Sequence, residues 1–184
     1  MTENSELDGV KRDGNQIYFY ADVDDLSCLE LQRELRAADV EARTESVKSG
    51  APVVPIILHI LSGGGDLLPA FGIADQIARM KTPVHSIIEG VAASAGTLIA
   101  MACHKRRITR SSFMLIHQLS TVHCGTYEDE KDHERILDMV MKKLTKFYVA
   151  HSVATKKQVR RIMRRNSWFD AQTALSLGFV DEVV

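Results

Sequence analysis

Cysteine, proline and aromatic residues are all scarce in this chain. Three cysteines occur in 184 residues, at irregular spacing (Cys28, Cys103 and Cys124), which excludes a disulfide scaffold. Four prolines and eleven glycines leave no low-complexity or collagen-like stretch. Aromatics make up 6% of the chain, with a single tryptophan. Neither sign of charge dominates: 23 basic and 24 acidic residues leave a net charge of −1. Nothing in that balance advertises a nucleic-acid or membrane-surface partner. The longest uncharged stretch, Gly90 to Cys103, has 14 residues, short of the ~20 that a membrane span needs. The N-terminal MTENSELDGVKRDGN is polar and has no apolar signal-peptide core. The expectation is a cytoplasmic protein with reduced thiols.

What is present is an ordinary globular composition, 45% hydrophobic and 26% charged. A chain of this size forms one domain and buries roughly 70% of its unfolded surface without metal or disulfide staples. Residues 1–15 read as a flexible tail, and residues 16–184 as the domain. Gln16 to Val23 reads as a strand, and Asp24 or Asp25 as the cap of a helix carrying Leu26, Leu29 and Leu35. Glu41 to Pro52 is polar and reads as a loop. Val53 to Leu61 is a nearly continuous apolar run, the mark of a strand buried on both faces. An amphipathic helix follows from about Leu67 to Met80. The pattern repeats with a strand at Pro83 to Glu89, a turn at Gly90 to Ser94 and a buried helix in the 14-residue apolar stretch. Strand-like pieces at Arg107-Ile108 and Ser112 to His117 precede a long charged helix, about Tyr127 to Val149. Its apolar stripe is Ile136, Met139, Val140, Leu144 and Phe147. A basic helix near Lys156 to Arg165, a short helix ending before Gly178 and a terminal strand complete an α/β domain without linker or internal repeat.

Two turns have the composition of a reactive site. Leu61 to Asp66 (LSGGGD) lets the backbone approach a ligand closely and aim N–H groups at it. It lacks the lysine and spacing of a phosphate loop. In Gly90 to Gly96 (GVAASAG), Ser94 stands between a strand and a buried helix. A nucleophile is exposed at such a place, with free N–H groups favouring a developing negative charge. The same serine could instead simply cap the helix. His117 ends an apolar strand beside a loop, where a general base can sit, although a lone histidine is more often structural. His117, His123, Cys124 and His133 match no common zinc spacing, so no metal or cofactor is expected. The basic runs Lys105 to Arg110 and Lys156 to Arg165 lack interleaved aromatics and read as solvated faces or subunit contacts. Trp168 reads as a packing anchor.

SGGGD, VAASAGTLIAM, FMLIHQ and the closing TALSLGFVDEVV, in that order, resemble the ClpP peptidases, the proteolytic subunits of the Clp protease. The likeness covers about Ile17 to Val184 and implies a ClpP/crotonase-like single domain of repeated strand–helix units with a protruding handle helix. It implies a serine endopeptidase in which Ser94 is the nucleophile and His117 the base, with Gly65 and Ala95 supplying the oxyanion-hole N–H groups. The family's third triad residue, an aspartate, falls on Asn166, with Asp170 the nearest carboxylate. Asp170 also reads as the cap of the last helix. Asparagine can orient an imidazole but offers it no charge. The alternative is therefore a weakly active or inactive structural or regulatory subunit. A crotonase-like acyl-CoA enzyme is disfavoured by the combination of ASAG with MLIHQ. The resemblance further implies peptide or unfolded-protein substrates and a homo-oligomer of heptameric rings stacked into a tetradecamer. AAA+ unfoldases partner such subunits, but residues 1–15 do not resemble the apolar N-terminal segment that serves this docking.

Overall fold

A computed structural model of the chain describes residues 9–184. Its centre is an eight-stranded sheet in the order β1-β2-β3-β4-β5-β8, with β6 paired to β4 and β7 paired to β6. Strands β1 (Gly9–Asp13) and β2 (Gln16–Tyr20) form an antiparallel hairpin. Part of the expected flexible tail is thus ordered, while residues 1–8 lie outside the described residues. The hairpin closes through Gly14-Asn15, and Gly14 takes φ +56°. Glycine suits the positive φ at the first central position of such a tight turn.

From β2 onward the pairing is parallel through β3 (Ile56–Ser62), β4 (Val84–Ala93), β5 (Lys105–Ile108) and β8 (Glu182–Val183). Parallel strands need crossover helices. Here these are α1 (Asp25–Ser49), α2 (Leu67–Arg79) and α3 (Ala95–Met101). Their inner sides and alternate strand residues make one core. Ile17, Phe19, Leu31, Leu35, Leu58, Ile60, Ile73, Ile77, Ile88 and Leu98 are all fully enclosed. Each such side chain contributes about 1.5–3 kcal/mol of transfer free energy.

Helix α1 runs to Ser49 and ends on Gly50 at φ +72°, so Glu41 to Ser49 is helix, not the expected loop. Its buried residues stop at Ala38. The second half is solvated and shows no apolar period, although Glu41, Ala42, Arg43, Glu45 and Lys48 are good helix formers. Strand β4 is longer than expected and passes straight through Gly90 at φ +93°. Its first half pairs with β5, and Val91–Ala93 pairs with β6 (Phe113–Ile116). The 14-residue apolar stretch therefore gives four residues to strand β4 and seven to helix α3.

Helix α4 (Tyr127–Ala150) is the long charged helix, and Thr126 with Asp129 forms its capping box. Only Leu144, Thr145 and Tyr148 are buried, near its C-terminal end. Ile136 and Met139 of the expected stripe are 51% and 63% exposed, so the N-terminal half projects from the core. Helix α5 (Lys156–Met163) is followed by β7 (Ser167–Asp170), a strand not expected from sequence, and by α6 (Ala171–Ser176). Trp168 on β7 is 59% exposed, which corrects its reading as a packing anchor. β7 leaves one face of its strand in solvent, and Phe169 faces the core instead.

Candidate active site

The β4–α3 junction holds Ser94 in an unusual conformation. Its φ is +50° and its ψ −121°, and it is the only non-glycine residue with positive φ among the described residues. Such a backbone costs on the order of 1–3 kcal/mol and persists only where its surroundings impose it. The constraints are visible: Ser94 N–H donates to the Leu115 carbonyl at 2.8 Å. The Ser94 carbonyl accepts from Thr97 N–H at 3.0 Å and from Thr97 Oγ1 at 2.6 Å. Although Ser94 occupies the N-cap position, its side chain caps nothing. The hydroxyl is thus left free at a sharp strand-to-helix turn, the arrangement of a nucleophile elbow.

The turn after β3 approaches Ser94 closely enough to require glycine. A Cβ on Gly64, at φ +100°, would lie 2.7 Å from Ser94 Cβ and 2.8 Å from the Ala93 carbonyl oxygen. A Cβ on Gly65, at φ +138°, would lie 2.2 Å from the Val23 carbonyl oxygen. Val23 fixes this turn by donating to the Gly64 carbonyl at 2.7 Å and accepting from Asp66 N–H at 2.6 Å. That bridge uses the groups on either side of Gly65 and leaves its N–H without a protein acceptor among the described residues. Ala95 N–H, in the first turn of α3, is likewise free, as first-turn N–H groups are.

Ser94, Ala95, Gly65 and His117 line one cavity of about 240 Å³, together with Asp66, Leu67, Leu98, Gln118, Leu119, Ser120, Leu144 and Tyr148. His117 Nδ1 lies 2.6 Å from the Gln118 carbonyl oxygen. A carbonyl only accepts, so Nδ1 carries the proton, and in the neutral ring Nε2 is the basic nitrogen. No hydrogen bond joins His117 to Ser94 or to Asn166 among the described residues. The orienting partner of the imidazole is a backbone carbonyl, which leaves no trace in the order of side chains and could not be read from sequence.

The β6–β7 ladder locates the two candidates for a third member. Ile116 pairs with Ser167, so one further step sets Asn166 beside His117. Asn166 is exposed, immediately before β7. Asp170 pairs with Phe113 at the far end of β6, four residues and about 13 Å from the His117 end. Its carboxylate accepts from Thr173 N–H at 2.8 Å, which caps α6, and the Thr173 side chain together with this N–H lowers its pKa.

A second support was also invisible in the sequence. Tyr148 of α4 is fully buried and its hydroxyl lies 2.7 Å from Thr97 Oγ1. Burial pushes the phenol well above its ordinary pKa, so the hydroxyl stays protonated. This contact ties the rooted end of α4 to the turn that carries Ser94. Elsewhere, His123 stacks on His133 at 4.2 Å, and no group of three or more His, Cys, Asp or Glu side chains among the described residues could hold a metal ion. No helix among them is long and apolar enough to cross a membrane.

This arrangement of a parallel α/β sheet, a strained serine turn and a projecting helix defines a ClpP-type fold. A family model described as Clp protease matches residues 17–184. The chain belongs to the Clp protease family. It is 33% identical over 132 residues to an ATP-dependent Clp protease proteolytic subunit 2 of Treponema pallidum, covering 71% of this chain and 66% of that protein. The alignment thus spans just under two thirds of that relative's length. A proteolytic subunit 1 of Chlamydia abortus is 27% identical over 189 residues, covering 99% of this chain and 94% of that protein. Among solved structures, a ClpP1 from Listeria monocytogenes bearing an asparagine-to-aspartate substitution superposes with a TM-score of 0.80 at 18% identity. That match covers 93% of this chain and 91% of the other.

Proposed function

We propose that the protein is a serine endopeptidase of the Clp type. The observation that carries this reading is Ser94. Its hydroxyl is free at a strained turn, with the unbonded N–H groups of Gly65 and Ala95 on the same cavity as a histidine in the base-competent tautomer. In the reaction Ser94 Oγ attacks the peptide carbonyl carbon while His117 Nε2 takes its proton. The carbonyl oxygen becomes an oxyanion that accepts from Gly65 and Ala95 N–H. His117 then protonates the leaving amine, and the acyl-enzyme is released by water through the same histidine. Asn166 beside His117 is the third member in this reading, in preference to Asp170, whose carboxylate is engaged with α6.

The substrates are peptides or unfolded proteins. The working form is a homo-oligomer of stacked heptameric rings, supported by the uncovered half of α4. Three unpaired cysteines, two of them buried, support a cytoplasmic setting. The test is covalent labelling with a fluorophosphonate, read by mass spectrometry of the intact chain and its peptides. An adduct on Ser94 is expected, absent in Ser94→Ala and slowed about 10²–10⁴-fold in His117→Ala. An unlabelled Ser94 after long exposure would overturn the assignment.

A second reading, a subunit of low intrinsic activity, is favoured by one observation. His117 is oriented by a neutral backbone carbonyl, with Asn166 as the neighbouring side chain, so no carboxylate among the described residues hydrogen-bonds to the imidazole. Labelling that proceeds on Ser94 while peptide turnover stays slow would support it.

A further inference from the structure

Four leucines, Leu67, Leu98, Leu119 and Leu144, line the cavity that holds Ser94 and His117, alongside polar residues in similar share. Asp66 adds a carboxylate to them. It follows Gly65 directly, lines the same cavity and is exposed. Its carboxylate does not cap α2. Among the described residues it pairs with no lysine, arginine or histidine. Asp66 is also the one carboxylate on the cavity's wall.

Leucines set beside a single unpaired carboxylate suit a side chain with a long apolar stem and a cationic head. The stem lies along the leucines, and the head replaces water at Asp66. A neutral chain of the same length keeps the apolar contacts but desolvates the carboxylate without pairing it. An acidic chain adds like-charge repulsion. Peptide filling the cavity excludes water and strengthens the attraction. We propose that Asp66 sets the substrate preference of this site, directing it to peptides with lysine or arginine at the residue whose carbonyl Ser94 attacks. This rests on the reading of Ser94 as the nucleophile.

Arginine and its uncharged isostere citrulline isolate the charge from the shape. Two fluorescent peptides differing only in that residue are titrated against the full-length Ser94→Ala protein, which cannot turn them over, and binding is followed by anisotropy. The arginine peptide is expected to bind about tenfold more tightly, equivalent to about 1.4 kcal/mol. The margin should vanish on adding Asp66→Asn and shrink with added salt. Equal affinity for the two peptides, binding of neither, or a preference that survives Asp66→Asn overturns the proposal. Fluorophosphonate labelling of the otherwise unaltered chain separates the two claims. A labelled Ser94 without arginine preference rejects the role of Asp66 alone. An arginine preference with an unlabelled Ser94 rejects the nucleophile and leaves Asp66 as a cation-binding residue.

Discussion

At Ser94 the backbone is strained so that the hydroxyl can be free. A serine at φ +50° is out of its ordinary range, and Gly64 packs against it too closely to carry a side chain. Gly64→Ala is the sharpest probe of this contact. The added methyl would sit inside van der Waals distance of Ser94 Cβ and of the Ala93 carbonyl oxygen. It is expected to destabilise the fold by about 2 kcal/mol or more and to abolish labelling of Ser94. Unaltered labelling would show that the turn need not pack against the serine. Asn166 supports the opposite experiment. In a trypsin-type triad, replacing the aspartate by asparagine lowers kcat about 10⁴-fold. Asn166→Asp is therefore expected to raise peptide kcat here by about 10²-fold or more, with little change in KM. An unchanged rate would mean that Asn166 does not act on His117. Ser94, His117 and the glycine turn were legible in the sequence because short motifs carry them. Asn166 was legible only by its distance from Gly178. The Gln118 carbonyl and the Tyr148–Thr97 contact were not, because a backbone acceptor and a long-range hydroxyl pair leave no local pattern.

At the scale of elements, two polar ties hold the rim of the sheet and the root of α4. In the first, Tyr148→Phe removes the bond to Thr97 while keeping the ring in place. The expected cost is about 1 kcal/mol of stability, together with slower Ser94 labelling, since Thr97 also holds the Ser94 carbonyl. Labelling at the original rate would separate α4 from the serine turn. In the second, Arg106 of β5 donates to the His151 carbonyl at 2.5 Å, the Gly178 carbonyl at 3.1 Å and the Asp181 carboxylate. Burial alone would raise the pKa of Asp181, but the hydrogen bonds and charge of Arg106 outweigh it and hold it below the usual range. A depressed carboxyl stabilises the fold above its unfolded pKa of about 3.9, and that contribution is lost as pH falls through the folded value. Asp181→Asn should therefore lower stability by about 0.5–1 kcal/mol at pH 7, screening by solvent included, and the gap to the unaltered chain should begin to narrow only below about pH 4 and be clearly smaller at about pH 3. Denaturant melts at both pH values decide it; a gap of constant size would deny the ion pair its role. The same scale explains the elements the sequence missed. The solvated half of α1 has helix-forming residues but no buried stripe, and β7 is a strand of only four residues that buries Phe169 but turns its tryptophan, Trp168, outward.

For the whole molecule, the projecting half of α4 poses the main energetic question. A helix that stands clear of its own domain has little to stabilise it beyond capping and neighbouring ion pairs, here Glu128–Lys131 and Asp132–Arg135. Those exposed pairs are worth at most a few tenths of a kcal/mol each. Ile136 and Met139 lie on this segment in solvent, where apolar side chains at helical spacing mark a surface that another chain covers. A second copy of this chain is the partner that the proposed chamber requires. Burying the two side chains would contribute about 1.5–3 kcal/mol each per subunit, and a symmetric assembly repeats that gain at every copy. Ile136→Asp with Met139→Asp should then leave the monomer fold intact, since neither residue belongs to its core. The same pair should shift the mass measured by light scattering from an oligomer toward single chains. Peptide turnover should fall together with that mass, because the C-terminal part of α4 supplies Leu144 and Tyr148 to the cavity of Ser94. An unaltered mass would remove α4 from the interface, and a full loss of mass with undiminished turnover would show that the site works without assembly.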